Sequence, residues 1–424
     1  MERWASARFP WVPALAGSRF VLNVIGTVAA RGAILLLGLG TTVLVARALG
    51  PAGRGDYAVA LAVSAIGVQL ANLGLHTSSS WAVAQRPHLV GPLLANDLVA
   101  SAGVGGAAIA VGLAAFAVFP AARPLALPVM VLALVAIPLG LFYLNEQNLL
   151  LGLQRVRAYN VLEIANRSCL LVLLVALLAE RALGVVSAVA AVAVVLIGVA
   201  AVGFALLWRG SAEPVRPRLG LVHAYGRYGL RAYVAALLTY LVLRVDLLMV
   251  QELRGAADAG QYSIAVALAE LLLVVPGLIA TIMFPTLSRM TDPERRWRTA
   301  ARITGVVGLF GVVFVPVIAL LGEPLIRLLY GTPYLPALPS FEWLLPGIGL
   351  LAVATVVMHY FYAVGVPAVA IYAPLAGVAV NIAMNFVLIP AAGIVGASIS
   401  STVAYGLMLI VCGVQFIRLR RAPA

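Results

Sequence analysis

Apolar residues run almost unbroken through most of this chain, and polar residues gather in the short intervals between the runs. A membrane-spanning helix needs about 20 mainly apolar residues. Twelve stretches meet that length, near 21–46, 57–83, 93–119, 126–150, 159–179, 184–208, 231–252, 260–285, 302–321, 341–364, 368–390 and 393–417. None of them alternates apolar with polar over half that length, as strands of a membrane barrel would. The pattern predicts an all-α polytopic membrane protein of twelve transmembrane helices.

Composition agrees and narrows the chemistry. Only 10% of the 424 residues are charged and 63% are hydrophobic, against about 25% charged in a soluble domain. The chain therefore cannot cover a water-facing surface. Its net charge of +13 comes entirely from arginine, with no lysine in the sequence. Schiff-base chemistry and a Walker loop, which needs Gly-Lys-Ser/Thr, are both excluded. No HExxH or GxSxG motif is present, so neither a metal nor a cofactor is expected and the chain does not read as an enzyme. The arginines lie in short loops between spans instead of forming a patch for nucleic acid. Nineteen fall on one side, six on the other and three (Arg31, Arg167 and Arg244) inside spans. The positive-inside rule then places both termini in the cytoplasm. Cys169 and Cys412 lie in apolar runs, which suits buried thiols and not a disulfide.

A repeat underlies the twelve spans. Residues 45–62, VARALGPAGRGDYAVALA, match 250–267 at seven of eighteen positions without a gap, at an offset of 205. The matches are Val45/Val250, Gly50/Gly255, Ala52/Ala257, Gly55/Gly260, Tyr57/Tyr262, Ala60/Ala265 and Ala62/Ala267. Each copy joins the first and second spans of a six-span half, so the halves share one topology, related by an axis along the membrane normal. This divides the chain into an N-terminal six-helix bundle (1–208), a cytoplasmic linker (209–228) and a C-terminal six-helix bundle (229–424). Arg54-Gly55-Asp56 loses any adhesion reading, because the second copy keeps neither charge. Asp56 reads as a helix N-cap, with Tyr57 and Tyr262 at the membrane interface.

Ionisable groups inside spans are expensive and face a partner or a cavity. Arg31 lies about 15 Å deep at 1.5 Å per residue, on one face with Asn23 and Thr27. It is either a hydrogen-bonding group between helices or a cavity cation. Arg244 shares a face with Tyr233, Tyr240 and Gln251, and either snorkels or meets a ligand. Asp246 points elsewhere and reads as structural. Glu163 and Arg167 form an i, i+4 pair that neutralises itself. Asn72 and His76 line the second span with Gln69 and Ser80. Glu270 stands nearly alone in the eighth span, as an ion-coupling group or half of a structural pair. His359 lies with Thr355 and Tyr362, and Asn381 with Asn385. Asp97 and Glu146 invite a carboxylate-pair reading, yet nothing in the sequence brings them together.

Two parallel halves and deep arginines, without an energy-coupling domain, point to alternating-access transport. The stretches ARALGPAGRGDYAVALA, GLQRVRAYN at 152–160, LRVDLLMV followed by AGQYSIAVALAELLLVVPGLIATIMFPTLSR, and PAAGIVGASISSTVAYGL at 390–407 carry a family likeness. In their order and spacing the chain resembles the oligosaccharide flippases of the MATE-like (multidrug/oligosaccharidyl-lipid/polysaccharide) superfamily. The resemblance implies two bundles around a V-shaped cavity in the bacterial cytoplasmic membrane. It implies that a polyprenyl-pyrophosphate-linked glycan crosses there, with Arg31 and Arg244 receiving the pyrophosphate. Asn23, Thr27, Asn72, His76, Tyr240, Asn381 and Asn385 would line the cavity, and Glu270 or His359 would couple H+ or Na+. Membrane lipids and glycan-assembly proteins are the implied partners. The repeat sets Ala236, not Arg244, opposite Arg31. Ending after twelve spans separates the chain from the lipid II flippases, which carry more. A cation-coupled multidrug exporter of the same superfamily is the first rival, and a membrane glycan polymerase or ligase the second.

Overall fold

The computed structural model describes residues 18–118, 125–218, 220–221 and 230–421, with side chains at 18–29 and 230–232 outside that description. Among the described residues the fold is all α. The helices are α1 (Ser18–Asn72), α2 (Leu75–Gln85), α3 (Val90–Val118), α4 (Leu127–Gly152), α5 (Val156–Ala179), α6 (Val185–Arg209) and α7 (Leu230–Val242). They continue with α8 (Val245–Arg254), α9 (Ala256–Glu270), α10 (Val274–Ser288), α11 (Pro293–Leu320), α12 (Gly322–Leu329), α13 (Leu338–Ala363) and α14 (Val369–Arg421). Ten helical stretches among the described residues are long and apolar enough to cross a membrane. Two of these contain a sharp turn, at Gly50 in α1 and at Gly393 in α14.

The turn residues explain the repeat. Gly50 has φ 66° and ψ −178°, and Gly255 has φ 89° and ψ 177°, a left-handed backbone open chiefly to glycine. After each glycine a new helix starts at once, at Pro51 in one copy and at Ala256 in the other. Proline suits a first helical position because its missing N–H has no partner there anyway. Asp56 therefore lies inside the helix and is not its cap; its carboxylate accepts from Gln251 Nε2 at 3.1 Å. Tyr57 and Tyr262 are buried in the protein, at 2% and 0% exposure.

The two copies also touch each other, reciprocally. A Cβ on Gly55 would lie 1.9 Å from the Ala256 carbonyl oxygen, and one on Gly260 would lie 1.9 Å from that of Pro51. Adding 205 to Gly55 and Pro51 gives Gly260 and Ala256, so one contact is the image of the other. Small residues let helix backbones approach this closely in a membrane. Around the contact, Arg54 Nε donates to Ser263 Oγ at 3.2 Å, and the Tyr334 hydroxyl donates to the Ala46 carbonyl at 2.8 Å. Arg47 donates to the Leu329 and Leu328 carbonyls at 2.8 and 2.6 Å, where α12 ends and its carbonyls lack helical partners. The segment after α12 turns through a 3-10 helix, Thr332–Ala337, and buries Tyr334 and Ala337 against this seal. This is the end of the molecule that the arginine distribution assigns to the outside.

At the opposite end, residues 211–218 cross α3 as a strap. Asn96 clamps it through Nδ2 to the Arg218 carbonyl at 2.9 Å and through Oδ1 from the Arg218 N–H at 2.7 Å. Arg218 also pairs with Glu213 at 2.7 Å. Further along, α11 starts on a conventional N-cap: Asp292 accepts from the N–H groups of Glu294 and Arg295, with Pro293 at the first helical position.

Candidate functional site

Three of the expected spans are broken, and the breaks build the site. The second stops at Asn72, passes through Leu73 (φ 49°) and Gly74 (φ 80°), and resumes as α2. The seventh stops at Val242 and resumes at Val245, with Arg244 in the gap at φ −130° and ψ −20°. The eighth changes to a 3-10 turn, Leu271–Leu273, directly after Glu270. A continuous seventh span over 231–252 is thus corrected: α7 and α8 are separate, and the side chains expected on one helix face straddle a break. Broken backbone at membrane depth is tolerated where protein or a cavity satisfies it. Here Tyr233 does so from the other half of the chain, its hydroxyl lying 3.0 Å from both the Gln69 and Leu70 carbonyls. These are the carbonyls that would have received the N–H groups of Leu73 and Gly74 in an unbroken helix. Tyr233→Phe is expected to lower thermal stability in nanodiscs by about 1 kcal/mol, the usual worth of such a bond. An unchanged melting temperature would count against this role.

The broken ends place Arg244 against Glu270. The guanidinium contacts both carboxylate oxygens, with a hydrogen bond from Nη2 to Oε2 at 3.0 Å and an ion-pair contact from Nη1 to Oε1 at 2.9 Å. A charge-assisted bond of this kind is stronger than a neutral one. Tyr240 lies one turn back, with the guanidinium carbon 6.0 Å from its ring centroid. Glu270 is therefore not alone, and Arg244 does not snorkel to the outer end. Their side chains remain 31% and 23% exposed, so the pair is not sealed in the core.

Arg31 is exposed and meets Tyr159 from the 152–160 stretch, with Nη2 to the hydroxyl at 3.4 Å and the guanidinium 5.9 Å from the ring centroid. It forms no ion pair among the described residues, and no bond joins it to Arg244. Asn23 and Thr27, its expected neighbours, carry side chains outside the described residues. Asn72 is fully buried and bonds His76 at 2.5 Å, with Thr77 on the other ring nitrogen at 3.1 Å. His359 contacts the Thr355 carbonyl at 2.9 Å and sets its ring edge-on to Tyr362.

Asn381 and Asn385 belong to a buried network. Asp246, 2% exposed, accepts from Tyr262, from Ser401 at 2.9 Å and from the Leu247 N–H at 2.7 Å. Asn381 donates to Ser401 at 3.1 Å, and Asn385 donates to Asn381 at 2.9 Å. The network ties α8 and α9 to α14, and both asparagines are 0% exposed. Glu163 and Arg167 pair at 3.6 Å, and the Tyr143 hydroxyl adds a bond to Glu163 at 3.1 Å. No group of three or more His, Cys, Asp or Glu side chains suited to a metal occurs among the described residues.

Sequence reasoning missed the Arg244–Glu270 pairing, the reach of Tyr233 and the partnership of Arg31 with Tyr159. Only the break at 73–74 left a readable signal, the Gly74 that ends a helical run.

Solved structures share this fold. A multidrug resistance MATE family transporter of the MOP superfamily in an inward-facing conformation matches with a TM-score of 0.73 at 15% identity, over 92% of this chain and 96% of that one. The lipid II flippase MurJ in an inward closed conformation matches at 0.71 and 11% identity, over 95% and 90%. A variant of a Vibrio cholerae MATE transporter matches at 0.66 and 15% identity, over 93% and 94%. No curated protein sequence matches the chain. The family model described as polysaccharide biosynthesis protein matches residues 20–291, well over half of the chain. The chain is a multi-pass membrane protein of the MATE-like fold and belongs to the polysaccharide biosynthesis protein family.

Proposed function

We propose that this protein is an alternating-access transporter of an amphipathic cargo, and that the cargo is a lipid-linked glycan carried out across the bacterial cytoplasmic membrane. In this reading twelve spans form two six-helix bundles, 1–208 and 229–424, joined by the linker 209–228, with both termini inside. The reciprocal glycine contact supports the two-bundle arrangement. The observation that carries the transport reading is the coincidence of broken second, seventh and eighth spans with a part-exposed Arg244–Glu270 pair, since transporter sites form where helices are discontinuous. Family membership supports the glycan cargo. Arg31 supplies a forked cation, held by no carboxylate among the described residues, for a diphosphate.

A second reading has specific support. Several of the similar solved structures are multidrug MATE transporters, and Glu270 already neutralises Arg244. Both observations favour a cation-coupled exporter of small amphipathic molecules, with Glu270 as the coupling carboxylate, over the glycan reading.

The full chain in proteoliposomes separates the two. A headgroup-labelled polyprenyl-pyrophosphate oligosaccharide should cross at least about tenfold faster than in protein-free vesicles, with the gain lost in Arg31→Ala, a change of at least about 1.4 kcal/mol. A cationic dye that moves while the glycolipid does not would establish the exporter. Movement of neither would overturn transport of both cargo classes.

A further inference from the structure

We propose that the N-terminal helices hold a cation site, on helices other than those of the Arg244–Glu270 cluster: Asp97 and Glu146, with Ser101 beside them, bind a single positive charge brought by an alkali ion or a proton. Asp97 lies in the second turn of α3, and Glu146 two turns before the end of α4. Both are buried, at 2% and 0% exposure. A Cβ on Gly105, eight residues beyond Asp97, would lie 2.5 Å from Pro138, eight residues before Glu146, so the antiparallel register of α3 and α4 sets opposite each other the two carboxylates that the sequence could only name separately.

Their surroundings lack the charge they need. Ser79 Oγ donates to Asp97 Oδ1 at 3.0 Å. Asp97 Oδ2 and both Glu146 oxygens have no hydrogen-bond partner. Neither carboxylate is in an ion pair among the described residues. Their close neighbours are Ser79 on α2, Ser101 on α3 and Gly203 on α6. None of these is charged, and the strap's Arg218 is engaged by Glu213. His76, farther along α2, is bonded to Asn72 and Thr77. A buried carboxylate without a counter-charge is strongly unfavourable, and two side by side are worse. One bound positive charge relieves the mutual repulsion and halves the net charge left buried.

The donor set suits such a charge. Ser101 is one turn beyond Asp97 on the same helix face, and its hydroxyl is buried without a partner. The Asn145 amide, beside Glu146 in sequence, is buried and equally unpartnered. All four side chains offer oxygen, which selects hard cations over thiophilic metals. Calcium takes about 6–8 oxygens, against five unpartnered ones in this group, which favours a monovalent ion. The helix opposite makes room: a Cβ at Gly203 would lie 2.6 Å from Glu146 Oε2. Asn96, adjacent to Asp97, holds the strap that joins the two halves. The filled or empty state of the site therefore bears on the segment linking them. This assignment does not depend on the identity of the cargo.

The test uses the full chain in nanodiscs. Radioactive sodium binding is read by scintillation proximity, and protonated carboxyl groups by their infrared band. For an alkali site, wild type binds one sodium ion per chain, and Glu146→Gln and Asp97→Asn each weaken binding at least about tenfold. Gly203→Ala does the same while retaining both carboxylates, and monodisperse elution identifies the folded variants. For a proton site, sodium does not bind, and the carboxylic-acid band titrates with pH and is lost in Glu146→Gln. If Glu146→Gln does not fold, Asp97→Asn and Gly203→Ala carry the test. Neither signal in wild type, or signals undiminished in the folded variants, overturns the proposal.

Discussion

Gly260→Ala will open the seal around the reciprocal glycine contact and slow transport. The added methyl group would lie 1.9 Å from the Pro51 carbonyl oxygen, 2.8 Å from its carbon and 3.1 Å from the Gly55 nitrogen. All three are backbone atoms, so no side-chain rotation relieves the clash and the two helices must separate. Overpacking of this kind costs about 1–3 kcal/mol, which shifts a two-state equilibrium roughly 5- to 150-fold. Ser263, buried under Arg54 in the seal, supplies the reporter. With Cys169 and Cys412 replaced by alanine, a cysteine at position 263 should react slowly with a membrane-impermeant maleimide added outside. In the Gly260→Ala background that reaction should accelerate by the same factor. Gly55→Ala should behave alike, because its contact with Ala256 is the image of the first. Gly277→Ala, where a Cβ meets nothing within 4 Å, should be silent. Unchanged labelling in both glycine variants would mean that this contact does not gate access.

These glycines also show why the repeat was legible. Gly50 and Gly255 match because each must adopt positive φ, and Gly55 and Gly260 match because each must admit a carbonyl. Constraints on the backbone leave the same letter wherever they recur. The long apolar runs were legible for a similar reason, since hydrocarbon demands about 20 apolar residues from every span. The breaks at Leu243–Arg244 and Leu271–Leu273 left no such mark, because both lie inside runs apolar enough to read as continuous. The sequence isolated Glu270 because its partner lies 26 residues away across two helix breaks. Asp97 and Glu146 were visible as residues but not as neighbours, since their meeting depends on how α3, α4 and α6 pack. Asn381 and Asn385, spaced one turn apart, were legible as a polar face, yet the sequence did not tell that this face meets Ser401 and Asp246 instead of open space.

Arg244→Ala should abolish transport and destabilise the fold, while removal of Glu270 as well should restore stability alone. Truncating the arginine leaves a part-buried carboxylate with no cation. For a fully buried pair that costs about 3–5 kcal/mol. With the side chains 31% and 23% exposed, about 2 kcal/mol is expected, part of the penalty being relieved by water. The double variant Arg244→Ala/Glu270→Ala removes both charges and should recover most of that loss. A double-mutant cycle on melting temperature then isolates the coupling between them. Transport separates structural from functional use of the pair. Arg244→Lys keeps the charge but loses the planar fork that grips two oxygens, so it should fall between wild type and alanine in both readouts. If the arginine receives an anionic cargo, Glu270→Gln should tighten cargo binding, because it frees the guanidinium. If Glu270 couples a cation to an exporter, Glu270→Gln should instead leave binding intact and abolish the dependence of transport on the ion gradient. A double variant that carries cargo at the wild-type rate would show that the pair only braces the broken helices.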